Sequence, residues 1–129
     1  MSTRVRAVTP YLCVEDGRAA LAWYADALGA EVGEPWADEE GRIGHAEMSI
    51  GGHPVFLSES YPEYGVEPPV AGRGAPMSVV LAVDDCAAAL ERARAAGATV
   101  TREPDERAER VVATILDPSG HRWMLIEER

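Results

Sequence analysis

Apolar and polar positions along this chain follow one pattern twice. Residues 8–14 and 77–83 are short apolar runs rich in strand formers, and each is followed by an aspartate, Asp16 and Asp85. A short acidic side chain in that place can accept hydrogen bonds from the free amides of a starting helix. Leu21, Tyr24 and Leu28 then fall at helical spacing, as do Cys86, Leu90, Ala93 and Gly97, while Gly29 and Gly97 close the two predicted helices. Three strands are predicted after each helix: 30–32 with 98–100, 44–50 with 111–116, and 54–58 with 121–126.

The repetition has a register. Leu12, Val14, Asp16, Ala20 and Leu21 match Leu81, Val83, Asp85, Ala89 and Leu90 at a shift of 69 positions; Gly52, His53, Leu57 and Glu59 match Gly120, His121, Leu125 and Glu127 at 68. Tandem βαβββ modules over about residues 5–60 and 76–129 account for both shifts and predict an α+β fold of one domain, with a cleft in a curved mixed sheet. The Pro- and Gly-dense segment 61–75 reads as a connector without regular structure, long enough to serve as a lid.

Side chains alternate across a strand, so apolar content assigns its faces. Pro10, Leu12, Val14, Ala46, Met48, Ile50, Val55 and Leu57 form one apolar set with Val79, Leu81, Val83, Trp123 and Leu125, which should lie under the helices. The opposite face is mixed. It carries Thr9, Tyr11, Cys13, His45, Glu47 and Phe56 in the first module and Ser78, Val80, Arg122 and Met124 in the second, and it is the expected wall of the cleft.

Composition narrows the partners. The 129 residues carry 12 basic and 22 acidic side chains, a formal charge of −10, which argues against nucleic acid and anionic membrane surfaces as partners. A cationic guest would be steered favourably, although an acidic surface also serves solubility alone. Cys13 and Cys86 show no paired spacing and read as small packed thiols. No apolar stretch reaches membrane-spanning length, and the first residues lack the apolar run of a signal peptide, so the expected location is cytoplasmic.

The doubled module, Tyr24 followed by Ala27-Leu28-Gly29, Ala96-Gly97-Ala98, and Asp117-Pro118-Ser119-Gly120-His121 before the last strand together resemble the vicinal oxygen chelate superfamily. That superfamily holds glyoxalases, extradiol dioxygenases and bleomycin-resistance proteins. The resemblance spans essentially the whole chain and is strongest to the glyoxalase/bleomycin-resistance group, through Pro10-Tyr11-Leu12 and the Gly44-His45-Ala46-Glu47 strand. It implies homodimerisation and, in metal-using members, one ligand on the first and last strand of each module. The corresponding positions here are Thr9, Phe56, Ser78 and Met124, none a usual ligand for a divalent ion, so neither metal nor cofactor is expected.

The remaining candidates are few. His45 and Glu47 lie two apart on one strand face and could bind a ligand or move a proton; an exposed sheet face would carry such a pair as well. Trp36, Tyr61 and Tyr64 stand in polar, Gly/Pro-punctuated segments, where they suit either a stacking rim for a flat or cationic ligand or a dimer contact. Arg122 could meet a ligand carboxylate or, more simply, Glu47. The symmetry of His53 and His121 suits structural roles, and Trp23 and Trp123 should be core. Two functions follow: a binding protein that sequesters a small molecule, for example an antibiotic of the bleomycin type, or a lyase, isomerase or dioxygenase working with or without a metal.

Overall fold

The structure, a computed structural model, describes residues 1–105 and 109–128. The described elements run β1 (Tyr11–Cys13), α1 (Gly17–Leu28), β2 (Glu31–Val32), β3 (Trp36–Ala37), β4 (Ile43–Ile50), β5 (His53–Ser58), β6 (Ser78–Ala82), α2 (Cys86–Ala95), β7 (Thr99–Asp105), β8 (Arg110–Leu116) and β9 (Arg122–Glu128). The first sheet has the order β1-β5-β4-β2, with β3 also on β4; the second is β6-β9-β8-β7. In each, the opening strand pairs parallel with the last, and the other neighbours are antiparallel. The fold is α+β, two mixed sheets with one helix each.

The helices begin as the sequence predicts. Asp16 accepts from the Ala19 amide and Asp85 from the Ala88 amide, both at 3.0 Å. A second acceptor serves each start from across the fold: Glu59 takes the Gly17 amide at 2.7 Å and Glu127 the Cys86 amide at 2.8 Å. Glu59 directly follows β5 and Glu127 lies near the end of β9, at matched positions of the two repeats, so the duplication preserves a cap as well as a core. Glu59 also takes the Ile43 amide at 2.8 Å, which holds β4 to the start of α1. Gly17 is required here, since a Cβ would stand 2.9 Å from the Ile43 side chain.

The apolar set lies where alternation puts it. Leu12, Val14, Ala46, Met48, Val55, Leu57, Trp123 and Leu125 are buried in one core with Leu21, Tyr24 and Leu90 from the helices, and Ile50, Val79, Leu81 and Val83 pack against it. Specific bonds tie the two halves across that core. Trp23 Nε1 donates to the Ala96 carbonyl at 2.8 Å, and Arg92 Nε donates to the Asp26 carbonyl at 2.8 Å, at the C-terminal end of α1. Buried Asp117 accepts from the Tyr24 hydroxyl, from Trp123 Nε1 at 2.9 Å and from the amides of Ser119 and His121. His121 lies 2.6 Å through Nε2 from the Cys13 carbonyl.

Two expectations need correction. Four strands, not three, follow α1: after β2, which lies at the expected place, the chain breaks at Gly33-Glu34-Pro35 and adds β3 on β4, because proline has no amide for the ladder. The connector is not wholly irregular either, since Pro62–Tyr64 form a 3₁₀ turn and Tyr61 bridges Val66. Both departures carry aromatic residues onto the open face of the first sheet. Among the described residues, no helix is long and apolar enough to cross a membrane.

Candidate functional site

The mixed face of the first sheet holds a linked cluster. His45 Nε2 lies 2.9 Å from Glu47 Oε2, and His45 Nδ1 lies 2.7 Å from the Tyr11 hydroxyl. An ionised carboxylate only accepts, so the Nε2 hydrogen belongs to the Glu47 contact, and neutral His45 is left with an acceptor nitrogen for Tyr11. The Tyr11 hydroxyl also lies 3.0 Å from the Gly44 carbonyl. Phe56 closes the group by edge contacts, its ring centroid 5.7 Å from Tyr11 and 4.9 Å from His45. Burial, and then the charge of Glu47, raise the Tyr11 phenol above its ordinary value, so it remains protonated at neutral pH.

Tyr11 also borders a cavity of about 590 Å³, whose other walls include Trp36, Gly44, Tyr61, Tyr64 and Val66. β3 supplies Trp36, which pairs with His45 across the ladder, and the 3₁₀ turn supplies Tyr64. Trp36 and Tyr64 are 60% and 78% exposed, an unfavourable placement for large rings unless something covers them. Trp36 and Tyr61 converge over Gly44. A Cβ there would stand 2.7 Å from Trp36 Cζ3 and 2.9 Å from the Tyr61 hydroxyl oxygen, so glycine sets the depth of the floor.

Tyr61 is fixed from several sides. Its hydroxyl donates to Asp38 Oδ2 at 2.7 Å, the Arg42 guanidinium lies 4.0 Å above its ring, and Tyr64 stacks against it at 6.1 Å. Arg42 is in turn held by Asp38 at 2.9 Å and Glu63 at 3.0 Å. The Tyr61 hydrogen bond, supported by Arg42, outweighs partial burial and holds the Asp38 carboxyl at about 2. The guanidinium in this cavity is therefore already neutralised, leaving aromatic walls with a carboxylate edge. Such a surface suits a flat, neutral or cationic guest and disfavours an anion.

The candidates read from the sequence separate into two places. Tyr11, Trp36, Tyr61 and Tyr64 line the cavity, and His45, Glu47 and Phe56 form the cluster behind Tyr11. Arg122 and Met124 lie on the other sheet. Arg122 donates to Ser78 Oγ at 2.6 Å, not to Glu47, whose carboxylate is engaged by His45. The aromatic cavity is built by the first module and the connector, while Arg122 borders a different cavity, walled by Tyr11 and Leu12 from the first module and Val79 and His121 from the second.

The register explains why. Ala46 pairs with Leu57 as Ala113 pairs with Leu125, so His45 and Glu47 correspond to Val112 and Thr114; Tyr11 and Phe56 correspond to Val80 and Met124. At these four positions one copy keeps a linked polar and aromatic group, and the other has two valines, a threonine and a methionine. Asp38 and Arg42 were not singled out from the sequence, and Gly44 entered only as the start of a strand, not as the cavity floor. The Gly41-Arg42 turn and the glycine opening an otherwise apolar strand were the available signals.

The positions at which metal-using relatives hold an ion do not supply donors. Thr9 and Ser78 offer hydroxyls, the latter bonded to Arg122, while Phe56 packs on Tyr11 and His45 and Met124 offers a thioether. Among the described residues, no group of three or more His, Cys, Asp or Glu side chains is arranged to hold a metal ion. Those residues do not fit a divalent cation.

Family comparison agrees with the doubled fold. The model of the Glyoxalase/Bleomycin resistance protein/Dioxygenase superfamily matches residues 5–125. The chain belongs to that superfamily. A Mycobacterium bovis relative with no assigned function is 35% identical over 126 residues, covering 92% of this chain and 81% of its own. The crystal structure of UcmS2 superposes with a TM-score of 0.76 at 26% identity, covering 96% of this chain and 98% of the other. A glyoxalase I mutant from Zea mays gives 0.73 at 25% identity, covering 94% of this chain and 44% of the maize one.

Proposed function

We propose that this protein binds a flat, neutral or cationic small molecule in the first-module cavity without a divalent metal. The observation that carries the reading is the cavity itself: exposed Trp36 and Tyr64 share about 590 Å³ with Tyr11 and Tyr61, and Arg42 is already paired. Pockets of this size suit ligands of drug-like dimensions, and aromatic walls supply area at little entropic cost. The acidic chain favours a cationic guest, and an antibiotic of the bleomycin type is one candidate, consistent with the superfamily. Calorimetry with bleomycin and a panel of flat organic cations tests this. Absence of binding by bleomycin at sub-millimolar concentration would exclude the antibiotic version.

The Tyr11–His45–Glu47 chain favours one second reading, metal-free proton transfer. A phenol at the cavity wall, backed by imidazole and carboxylate at 2.7 and 2.9 Å, has the connectivity to exchange a proton with a bound substrate. Turnover under this reading is lost in Tyr11→Phe and His45→Gln and retained after chelator treatment. The homodimer implied by the superfamily is a further proposal, open to sedimentation analysis, as is a cytoplasmic location.

A further inference from the structure

A second cavity, of about 510 Å³, lies on the other side of Tyr11 under the connector. Its walls are mainly aliphatic, from Pro68, Pro69, Met77 and Val79, and Pro69 packs 3.5 Å from where a Cβ on Gly120 would stand, which seats the connector on the turn before β9. Arg122 opens into this space. Its situation differs from that of the other bonded arginines: Arg42, Arg94, Arg102 and Arg110 each meet a carboxylate, and Arg92 meets helix carbonyls. Partly buried Arg122 makes one hydrogen bond, to Ser78 Oγ at 2.6 Å, and no ion pair among the described residues. A guanidinium carries five N–H donors, and leaving most of them against aliphatic walls is costly unless an anion or water meets them.

We infer that this second cavity is a binding site for a small carboxylate with an aliphatic body, its carboxylate on Arg122 and its chain against the proline-rich connector. Arg73 borders the same space and adds positive charge, which together with Arg122 outnumbers the one lining carboxylate, exposed Glu67. The formal charge of −10 does not forbid the site, because salt screens exposed charges from one another beyond ~8 Å at physiological ionic strength. A fork-shaped donor in contact with a carboxylate dominates at short range. The inference does not depend on what the aromatic cavity binds.

Octanoate titrated into the full chain at fixed ionic strength tests it, followed by amide chemical shifts and calorimetry, with octylamine as the charge-reversed comparison. The expected result is saturable binding of octanoate, shifts centred on Ser78, Arg122 and the 66–77 segment, and at least tenfold tighter binding than octylamine. Arg122→Gln keeps a donor for Ser78 and weakens octanoate at least tenfold, Arg122→Lys weakens it less, and Arg110→Gln, which removes a positive charge paired with Glu128 on the second sheet, leaves it unchanged. If Arg122→Gln perturbs folding by circular dichroism, the wild-type comparison of octanoate with octylamine decides alone. Equal affinity for the two, absence of saturable octanoate binding, or undiminished affinity in folded Arg122→Gln would overturn the assignment.

Discussion

At the scale of single residues, Gly44 decides whether the aromatic cavity exists. Any side chain there meets Trp36 and Tyr61 within 3 Å, so Gly44→Ala must push one ring out of the wall. Because Trp36 is exposed and can swing away, the expected stability loss is small, within ~1 kcal/mol, whereas guest binding should weaken at least tenfold. Thermal unfolding and calorimetry on one sample separate these effects. Asp38 adds a pH limit. Its carboxyl, lowered to about 2 by Tyr61 and Arg42, contributes stability that is fully present above the ordinary aspartate value and is lost as pH falls through about 2. The environment of Tyr61 should therefore be constant from neutrality to pH 4 and change only below it, and the change should be absent in Asp38→Asn, which tyrosine ring resonances can follow.

At the scale of elements, the doubled carboxylate caps make a paired prediction. Glu59→Gln can serve only one of the two amides that Glu59 now accepts, from Gly17 and Ile43, and should cost about 1–2 kcal/mol in denaturant unfolding. Glu127→Gln keeps an acceptor for Cys86 and should cost less; a reversed order would contradict the arrangement. These caps also show what could be read in advance. The repeat shift matched Glu59 with Glu127, yet their partners are distant in sequence. Asp16 and Asp85 were legible because their cap is local, three residues away. The face bearing His45 and Glu47 followed from strand alternation, but the bond to Tyr11 spans 34 residues. β3 escaped notice because two residues beside a proline leave no periodicity.

At the scale of the molecule, a common core joins two copies that have diverged in their open faces. Asp117 is the hinge of that union, a buried carboxylate from the second half accepting Tyr24 from the first. Asp117→Asn loses acceptor capacity for buried donors and should cost about 2–4 kcal/mol while unfolding remains a single transition with unchanged denaturant slope. The first copy keeps Tyr11, His45, Glu47 and Phe56, while the second has Val80, Val112, Thr114 and Met124 in their places. One aromatic site per chain is the consequence.

The most direct test is a calorimetric titration of bleomycin and flat organic cations into chelator-treated protein, alongside Trp36→Ala. Saturable sub-millimolar binding of at least one guest, at one site per chain, unaffected by chelator and weakened at least tenfold in Trp36→Ala, is predicted. Binding that appears only when a divalent metal is restored, or that is indifferent to Trp36, would contradict the account.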